Sequence, residues 1–161
     1  MTSLCCKVLE TLKGKSLVTA ESCTGGGIGA ALTAIPGSSA VYKGGIICYT
    51  NWVKENVLGV DPDLLEYFGA VSMSVARAMA VGARKLLQAD VAVSVTGLAG
   101  PGGDDYGNPV GTIYIGCSVQ AKTLVREFHF SGDRDTVRRL ALEAALDMIL
   151  EVNEGCDHEE N

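Results

Sequence analysis

The stretch that decides the fold is residues 17–35, LVTAESCTGGGIGAALTAI. Leu17–Glu21 has the apolar, β-prone character of a buried strand, and Thr24–Ile35 is small and apolar enough to pack as a helix that Pro36-Gly37 ends. Between them lie Ser22, Cys23 and Thr24, a row of nucleophilic side chains, followed by Gly25, Gly26 and Gly27. A strand that turns into a helix through such residues puts the turn at the carboxyl edge of a sheet, where open α/β sheets bind ligands. The free N–H groups of a helix start attract phosphate, carboxylate or a developing oxyanion. A purely architectural reading stands beside this one: small residues after a strand let a helix pack closely on the sheet. A dinucleotide fingerprint fits only loosely, as Gly25-x-Gly27-x-x-Ala30. No acidic residue follows at the end of the next strand, which closes in Tyr49-Thr50-Asn51, and the GxxxxGK[ST] phosphate loop is absent.

Working outward, residues 1–15 (MTSLCCKVLETLKGK) carry charges throughout and have no signal-peptide hydrophobic region. About 1–16 therefore reads as an amphipathic helix of a cytoplasmic protein. Pro36-Gly37-Ser38-Ser39 is a loop and Gly44–Tyr49 a second buried strand; Asn51 is the expected N-cap of a short helix, Trp52–Leu58, stopped by Gly59. Asp61-Pro62 opens a helix ending at Gly69, and Ser72 caps a long one with Val75, Met79, Ala83 and Leu86-Leu87 near helical spacing. Val91–Val95 is a third strand that runs into a second glycine-rich loop, Thr96–Asp105. Val110–Val119 and Thr123–Phe130 are expected to form a hairpin. Gly132-Asp133-Arg134-Asp135 opens a last helix whose core stripe is Val137, Leu140, Ala141, Ala144, Ala145, Met148, Ile149 and Val152, with Arg138, Arg139, Glu143 and Asp147 outside. The expected architecture is one α/β domain over 1–161, with helices on both faces of a mixed, mostly parallel sheet and an acidic frayed tail from about 153 to 161.

Composition narrows the function classes. With 161 residues and 47% hydrophobic content the chain can bury a real core and is not disordered. No apolar run reaches the length that spans a bilayer, so no membrane partner is expected. The net charge of −6 is a tail effect: residues 151–161 hold five acids and no base, which leaves −1 for the rest. There is no basic surplus for a nucleic-acid face. The six cysteines contain no CxxC pair, and His129 and His158 lie far from any cysteine pair that would complete a zinc site. Reduced, mostly buried thiols and no catalytic metal are expected.

Three polar clusters follow strand ends: Ser22-Cys23-Thr24, Tyr49 to Lys54, and Thr96 to Asp105. Strand ends on one sheet edge converge, so the three can meet in one cleft. No Ser-His-Asp triad assembles, because His129 sits within a predicted strand and His158 in the tail. The G-x-S-x-G elbow is also missing, with Glu21 in the place before the serine. A serine nucleophile here needs another base, and Lys54 is the candidate. Free lysine, with a pKa of about 10.4, is useless as a base near neutrality, but burial and a nearby positive dipole both favour the neutral amine. Lys54 falls in the first turn of its predicted helix, where cations are disfavoured. Tyr49, just before that helix, is placed to relay a proton or bind substrate. The plain alternatives are an exposed helix lysine, a satisfied core tyrosine and, for Cys23, a rival nucleophile beside Ser22.

The segments TAESCTGG (19–26), IPGSS (35–39), YTNWVKENVLGV (49–60), GAVS (69–72), VSVTGLAGPGG (93–103), PVGTIYIG (109–116) and FSGDRDTVRR (130–139) lie in order over most of the chain. Together they resemble the CinA C-terminal domain family, including its stand-alone form, nicotinamide-nucleotide amidohydrolase (NMN deamidase). The resemblance implies a three-layer α/β/α sandwich with a mixed sheet. It also implies hydrolysis of the carboxamide of nicotinamide mononucleotide (NMN) to nicotinate mononucleotide and ammonia, with no metal and no cofactor. Carried over by position, the catalytic residues are Ser22 as nucleophile, Lys54 as general base and Tyr49 as its assistant. Arg134 falls where a substrate phosphate is held. Thr24, Gly25 and Gly26, with the oxyanion near the two glycines, and Thr96, Gly97 and Gly100 are the remaining substrate-binding positions. NMN is then the expected partner; homo-oligomer formation stays open. The competing reading is a catalytically idle nucleotide-binding or regulatory module associated with competence or damage.

Overall fold

In the computed structural model, residues 1–156 are described. The elements run α1 (Thr2–Thr11), β1 (Leu17–Glu21), α2 (Gly27–Thr33), β2 (Tyr42–Ile47), α3 (Asn51–Asn56), α4 (Pro62–Phe68), α5 (Met73–Leu86), β3 (Val91–Gly97), β4 (Thr112–Ser118), β5 (Thr123–His129) and α6 (Arg134–Cys156). The strands form one five-stranded sheet in the order β2-β1-β3-β4-β5. β2, β1 and β3 are parallel, and β4 runs antiparallel between β3 and β5, so the sheet is mixed. Strand alternation sends Leu17, Val91, Val93 and Val95 to a core shared with α1, α2 and α6. Val18, Ala20 and Ala92 face a second core built by Leu58, Leu65, Val75, Met79 and Ala83, on the side of α4 and α5. Both faces are thus covered, giving three layers.

Small residues bring α5 close to the sheet. A Cβ on Gly116 would sit 2.8 Å from the Ala76 carbonyl, and Ser94 Oγ donates to that same carbonyl at 2.6 Å. The connection from β1 to β2 passes on the α1/α6 side through α2, whereas that from β2 to β3 passes on the other side through α3–α5. Strand order therefore reverses at β1, and Glu21 is in register with Ile47 on one side and Val95 on the other. The three chains leave the sheet side by side at a topological switch point, the place where this architecture opens a crevice.

Several expected boundaries shift. β2 covers Tyr42–Ile47 rather than Gly44–Tyr49. As an edge strand paired only with β1, it alternates between half-buried and exposed side chains instead of being buried throughout. α2 begins at Gly27, not Thr24, because Gly25 (φ +60°) and Gly26 (φ +97°) hold the left-handed backbone that interrupts the helix. Thr50, not Asn51, caps α3, accepting from the Val53 amide. Asp61 and Ser72 cap α4 and α5 as expected. In α6, Leu146 and Leu150 join the buried stripe while Leu140 and Ala144 are half-buried. The helix also runs on through Cys156 with Asn153 buried, so fraying does not begin at 153; residues 157–161, with His158, lie outside the described residues. Among the described residues no helix is long and apolar enough to cross a membrane.

Candidate active site

Ser22 follows β1 directly. Its amide donates to the Val95 carbonyl of β3 at 2.9 Å, which continues the parallel ladder one residue past the strand. The Gly25 amide then closes a turn on the Ser22 carbonyl at 3.0 Å. Beneath this turn lies Glu21, 2% exposed, whose Oε1 accepts from the Ile28 amide at 2.8 Å and Oε2 from the Gly29 amide at 3.1 Å. The last side chain of the strand thus satisfies the first-turn amides of the helix, which those amides need for want of an intrahelical acceptor. From α6, Arg138 donates to the Cys23 carbonyl at 3.0 Å and the Thr24 carbonyl at 3.3 Å. This corrects its expected place on the outer face of the helix. The Ser22–Gly25 turn is therefore fixed from below and from the side.

Lys54 is 1% exposed, the largest fully buried side chain among the described residues. Its Nζ donates to the Cys48 carbonyl at 2.7 Å and lies 3.1 Å from Ser22 Oγ. It forms no ion pair among the described residues. Burial lowers its pKa from the ordinary 10.5, against a smaller opposing influence of the Cys48 and Cys23 thiols. Those thiols are themselves pushed up to about 11 by burial, so near neutral pH they supply no negative charge to hold an ammonium. The reading of Lys54 as an exposed helix lysine is excluded by its position.

Ser22, Lys54, Tyr49, Arg134, Thr96 and Gly97 line one cleft of about 470 Å³, together with Gly100 and the rest of the glycine-rich loop as far as Tyr106. Tyr49 stands at the mouth, 59% exposed, rather than in the core. Its Oη accepts from Arg134 Nη2 at 3.2 Å, while Arg134 Nη1 donates to the Gly100 carbonyl at 2.6 Å. Thr96 Oγ1 donates to the Ala70 carbonyl at 2.8 Å and so shapes the wall. A Cβ on Gly97 would come within 2.2 Å of the Ile113 side chain, which explains the glycine.

Thr24, Gly25 and Gly26 are not brought to the cleft wall. Gly25 spends its amide on the turn, Gly26 faces Ile47 on the far side, and Thr24 is buried with the one buried side-chain oxygen that lacks a partner among the described residues. The amides of Cys23, Thr24 and Gly26 have no backbone acceptor among the described residues, and of these three residues only Cys23 lines the cleft. Sequence reasoning missed three further contributors. Asp104 folds the glycine-rich loop by accepting from the Tyr106 and Asn108 amides, Tyr106 Oη donates to the Glu66 carbonyl at 2.6 Å, and Asn108 Nδ2 donates to the Val71 carbonyl at 3.1 Å. The Asp-x-Tyr-x-Asn spacing within a glycine-rich stretch was the available signal for such a self-bracing loop. Among the described residues no group of three or more His, Cys, Asp or Glu side chains is arranged to hold a metal ion.

The family model for the CinA C-terminal domain matches residues 2–153. A CinA-like protein of Acidobacterium capsulatum is 48% identical over 138 residues, covering 86% of this chain and 33% of that protein. A CinA-like protein of Thermosynechococcus vestitus is 49% identical over 138 residues, covering 84% and 33%. The chain thus spans about one third of the length of these relatives. Among solved structures, the competence/damage inducible protein CihA of Agrobacterium tumefaciens superposes with a TM-score of 0.91 at 39% identity, over 94% of each chain. A competence-damaged protein (CinA) superfamily protein of Klebsiella pneumoniae 700603 gives 0.93 at 33% identity, over 96% of this chain and 98% of that one.

Proposed function

Because the chain belongs to the CinA C-terminal domain family, we propose that it is an amidohydrolase that converts NMN to nicotinate mononucleotide and ammonia through an acyl-enzyme on Ser22. The observation that carries this reading is Lys54: buried, without a counter-charge, and 3.1 Å from Ser22 Oγ. Nothing in packing calls for a lysine there, since burying an ammonium without a partner is costly and an apolar side chain of similar length would fill the space. What a neutral amine adds is a lone pair facing a hydroxyl.

In the first step Ser22 Oγ attacks the carboxamide carbon while its proton passes to Lys54 Nζ, whose other hydrogen bond to the Cys48 carbonyl fixes its direction. We assign the negative oxygen that forms to a backbone amide of the turn that follows Ser22. Protonated Lys54 then gives its proton to the departing nitrogen, the C–N bond breaks, and ammonia leaves a nicotinoyl ester on Ser22. Water, activated by the same amine, clears the ester. Tyr49 assists the proton transfer at the mouth of the cleft, and Arg134 receives the phosphate.

Purified protein incubated with NMN is expected to release ammonia, and acid quench is expected to trap a nicotinoyl adduct on Ser22 detectable by mass spectrometry. Ser22→Ala should abolish both. Tight NMN binding with no ammonia from the folded wild type would instead make this a ligand-binding member with idle catalytic residues.

A further inference from the structure

The glycine-rich loop brings two aspartates to the cleft and uses them differently. Asp104 is spent on the fold: its Oδ1 accepts from the Tyr106 amide at 3.1 Å and the Asn108 amide at 3.0 Å, and its Oδ2 from Asn108 Nδ2 at 2.8 Å. Tyr106 in turn is tied to α4. Its ring lies where a Cβ on Gly69 would come within 2.6 Å of it, and its Oη donates to the Glu66 carbonyl. Asp105 sits between these two anchored neighbours and lines the same cleft as Ser22 and Lys54. It is exposed and has no hydrogen bond or ion pair among the described residues. The backbone is thus fixed on both sides of a carboxylate that has no protein partner.

The charges lining the cleft match one kind of ligand. With Lys54 as a neutral amine, the cleft holds a single cation, Arg134, against the two aspartates, and so carries more negative than positive charge. A site for an anion alone gains nothing from that surplus. A zwitterion does, because its cationic part is attracted by the acid that repels its anionic part. NMN is such a molecule: its pyridinium ring is permanently positive and is joined through ribose to phosphate. The cleft, of about 470 Å³, is comparable in width to a Debye length, ~8 Å at physiological ionic strength, so a charge on its wall acts on the ring without touching it. Resting on the amidohydrolase reading above, we propose that Asp105 is a specificity-determining residue that selects carboxamides carried on a cationic ring, favouring the oxidised pyridinium form of the nucleotide over its neutral dihydropyridine form.

The test is calorimetric binding to Ser22→Ala, which lacks the hydroxyl for turnover. Two ligands are compared that share carboxamide, ribose and phosphate and differ in ring charge: NMN and its reduced form, dihydronicotinamide mononucleotide. At low ionic strength NMN is expected to bind about threefold to fivefold more tightly, the upper range for an exposed ion pair. Adding Asp105→Asn, which keeps the shape at an exposed position, should bring the ratio to about one by weakening NMN alone. High salt should shrink the same ratio in Ser22→Ala itself. Equal affinity for the two ligands in Ser22→Ala overturns the proposal, and so does a ratio that survives in Asp105→Asn. Equal weakening of both ligands by Asp105→Asn also overturns it, since Asp105 would then only shape the loop. Binding is read without turnover, so NMN bound with the expected selectivity but giving no ammonia from the wild type would sink the amidohydrolase reading and leave the role of Asp105 standing. Failure of both ligands to bind the folded protein would remove the two together.

Discussion

Of the buried ionisable side chains that flank Ser22, Glu21 and Lys54 are built in opposite ways. Glu21, 2% exposed, has an amide donor for each carboxylate oxygen, at 2.8 and 3.1 Å, and both come from the first turn of α2. Lys54, 1% exposed, has one carbonyl, the serine hydroxyl and no carboxylate. A carboxylate before a helix start gains from its hydrogen bonds and from the local positive potential. An ammonium with no counter-charge has nothing to offset the water it gives up, so the neutral amine is favoured. Equal burial thus yields a clamp in one case and, on the amidohydrolase reading, a base in the other. The set of partners, rather than depth, separates a structural charge from a reactive one.

The largest effect expected from breaking this contrast is at Lys54. Lys54→Met keeps the length and removes the amine; ammonia release from NMN should fall by about 10³–10⁴-fold. Stability should rise by about 1 kcal/mol in urea unfolding, as it does when a reactive site is relieved of a costly group. The pH dependence has a definite sign. Between the lowered native pKa of Lys54 and its ordinary 10.5, the unfolded chain holds the proton and the folded chain does not. Stability from this group is therefore complete above 10.5 and is lost as the pH falls toward the native value. The Met variant should lack that slope, and in the wild type kcat/KM should rise with pH through the native pKa of Lys54 and level off above it. A variant that is less stable and still active would show that Lys54 is a packing residue.

Glu21 should behave in the reverse sense. Glu21→Ala strands two buried helix amides and is expected to cost about 2–3 kcal/mol in the same unfolding experiment. Glu21→Gln keeps one acceptor oxygen and should cost about half as much. If Glu21→Ala left stability unchanged, the clamp would be no clamp and the contrast with Lys54 would fail.

The half of the molecule that was legible in sequence is the half governed by local rules. Asp61 and Ser72 announce their helices, and the apolar runs at Leu17–Glu21 and Val91–Val95 announce strands whose ends share an edge, which is enough to gather Ser22, Tyr49, Lys54, Thr96, Gly97, Gly100 and Arg134 around one cleft. What stayed hidden depends on backbone dihedrals and on distant partners. Glu21 reads as an acid interrupting an apolar strand until the left-handed Gly25 and Gly26 bring α2 back over it. Arg138, 115 residues from Cys23, reads as one more solvent-facing charge on a helix until α6 is laid against the turn after Ser22. The same left-handed glycines carry Gly25 and Gly26 away from the cleft that Ser22 and Cys23 line.

Cys23 sharpens the contrast with the smallest expected effect. It lines the same cleft, 6% exposed, and burial pushes its thiol up to about 11, outweighing its backbone hydrogen bond and the nearby Arg138 guanidinium, which pull the other way. The nucleophilic form of cysteine is the charged one, so the burial that favours the neutral amine of Lys54 disfavours the reactive form of Cys23. Cys23→Ala should leave ammonia release within about twofold and cost about 1 kcal/mol of packing, since only a small buried group is lost. Alkylation by iodoacetamide at neutral pH should likewise be slow at this position and fast at the exposed Cys6. Loss of ammonia release in Cys23→Ala, with Ser22→Ala still active, would reverse the assignment: the thiol would then be the group that the site ionises, and Lys54 would serve to hold a thiolate beside it.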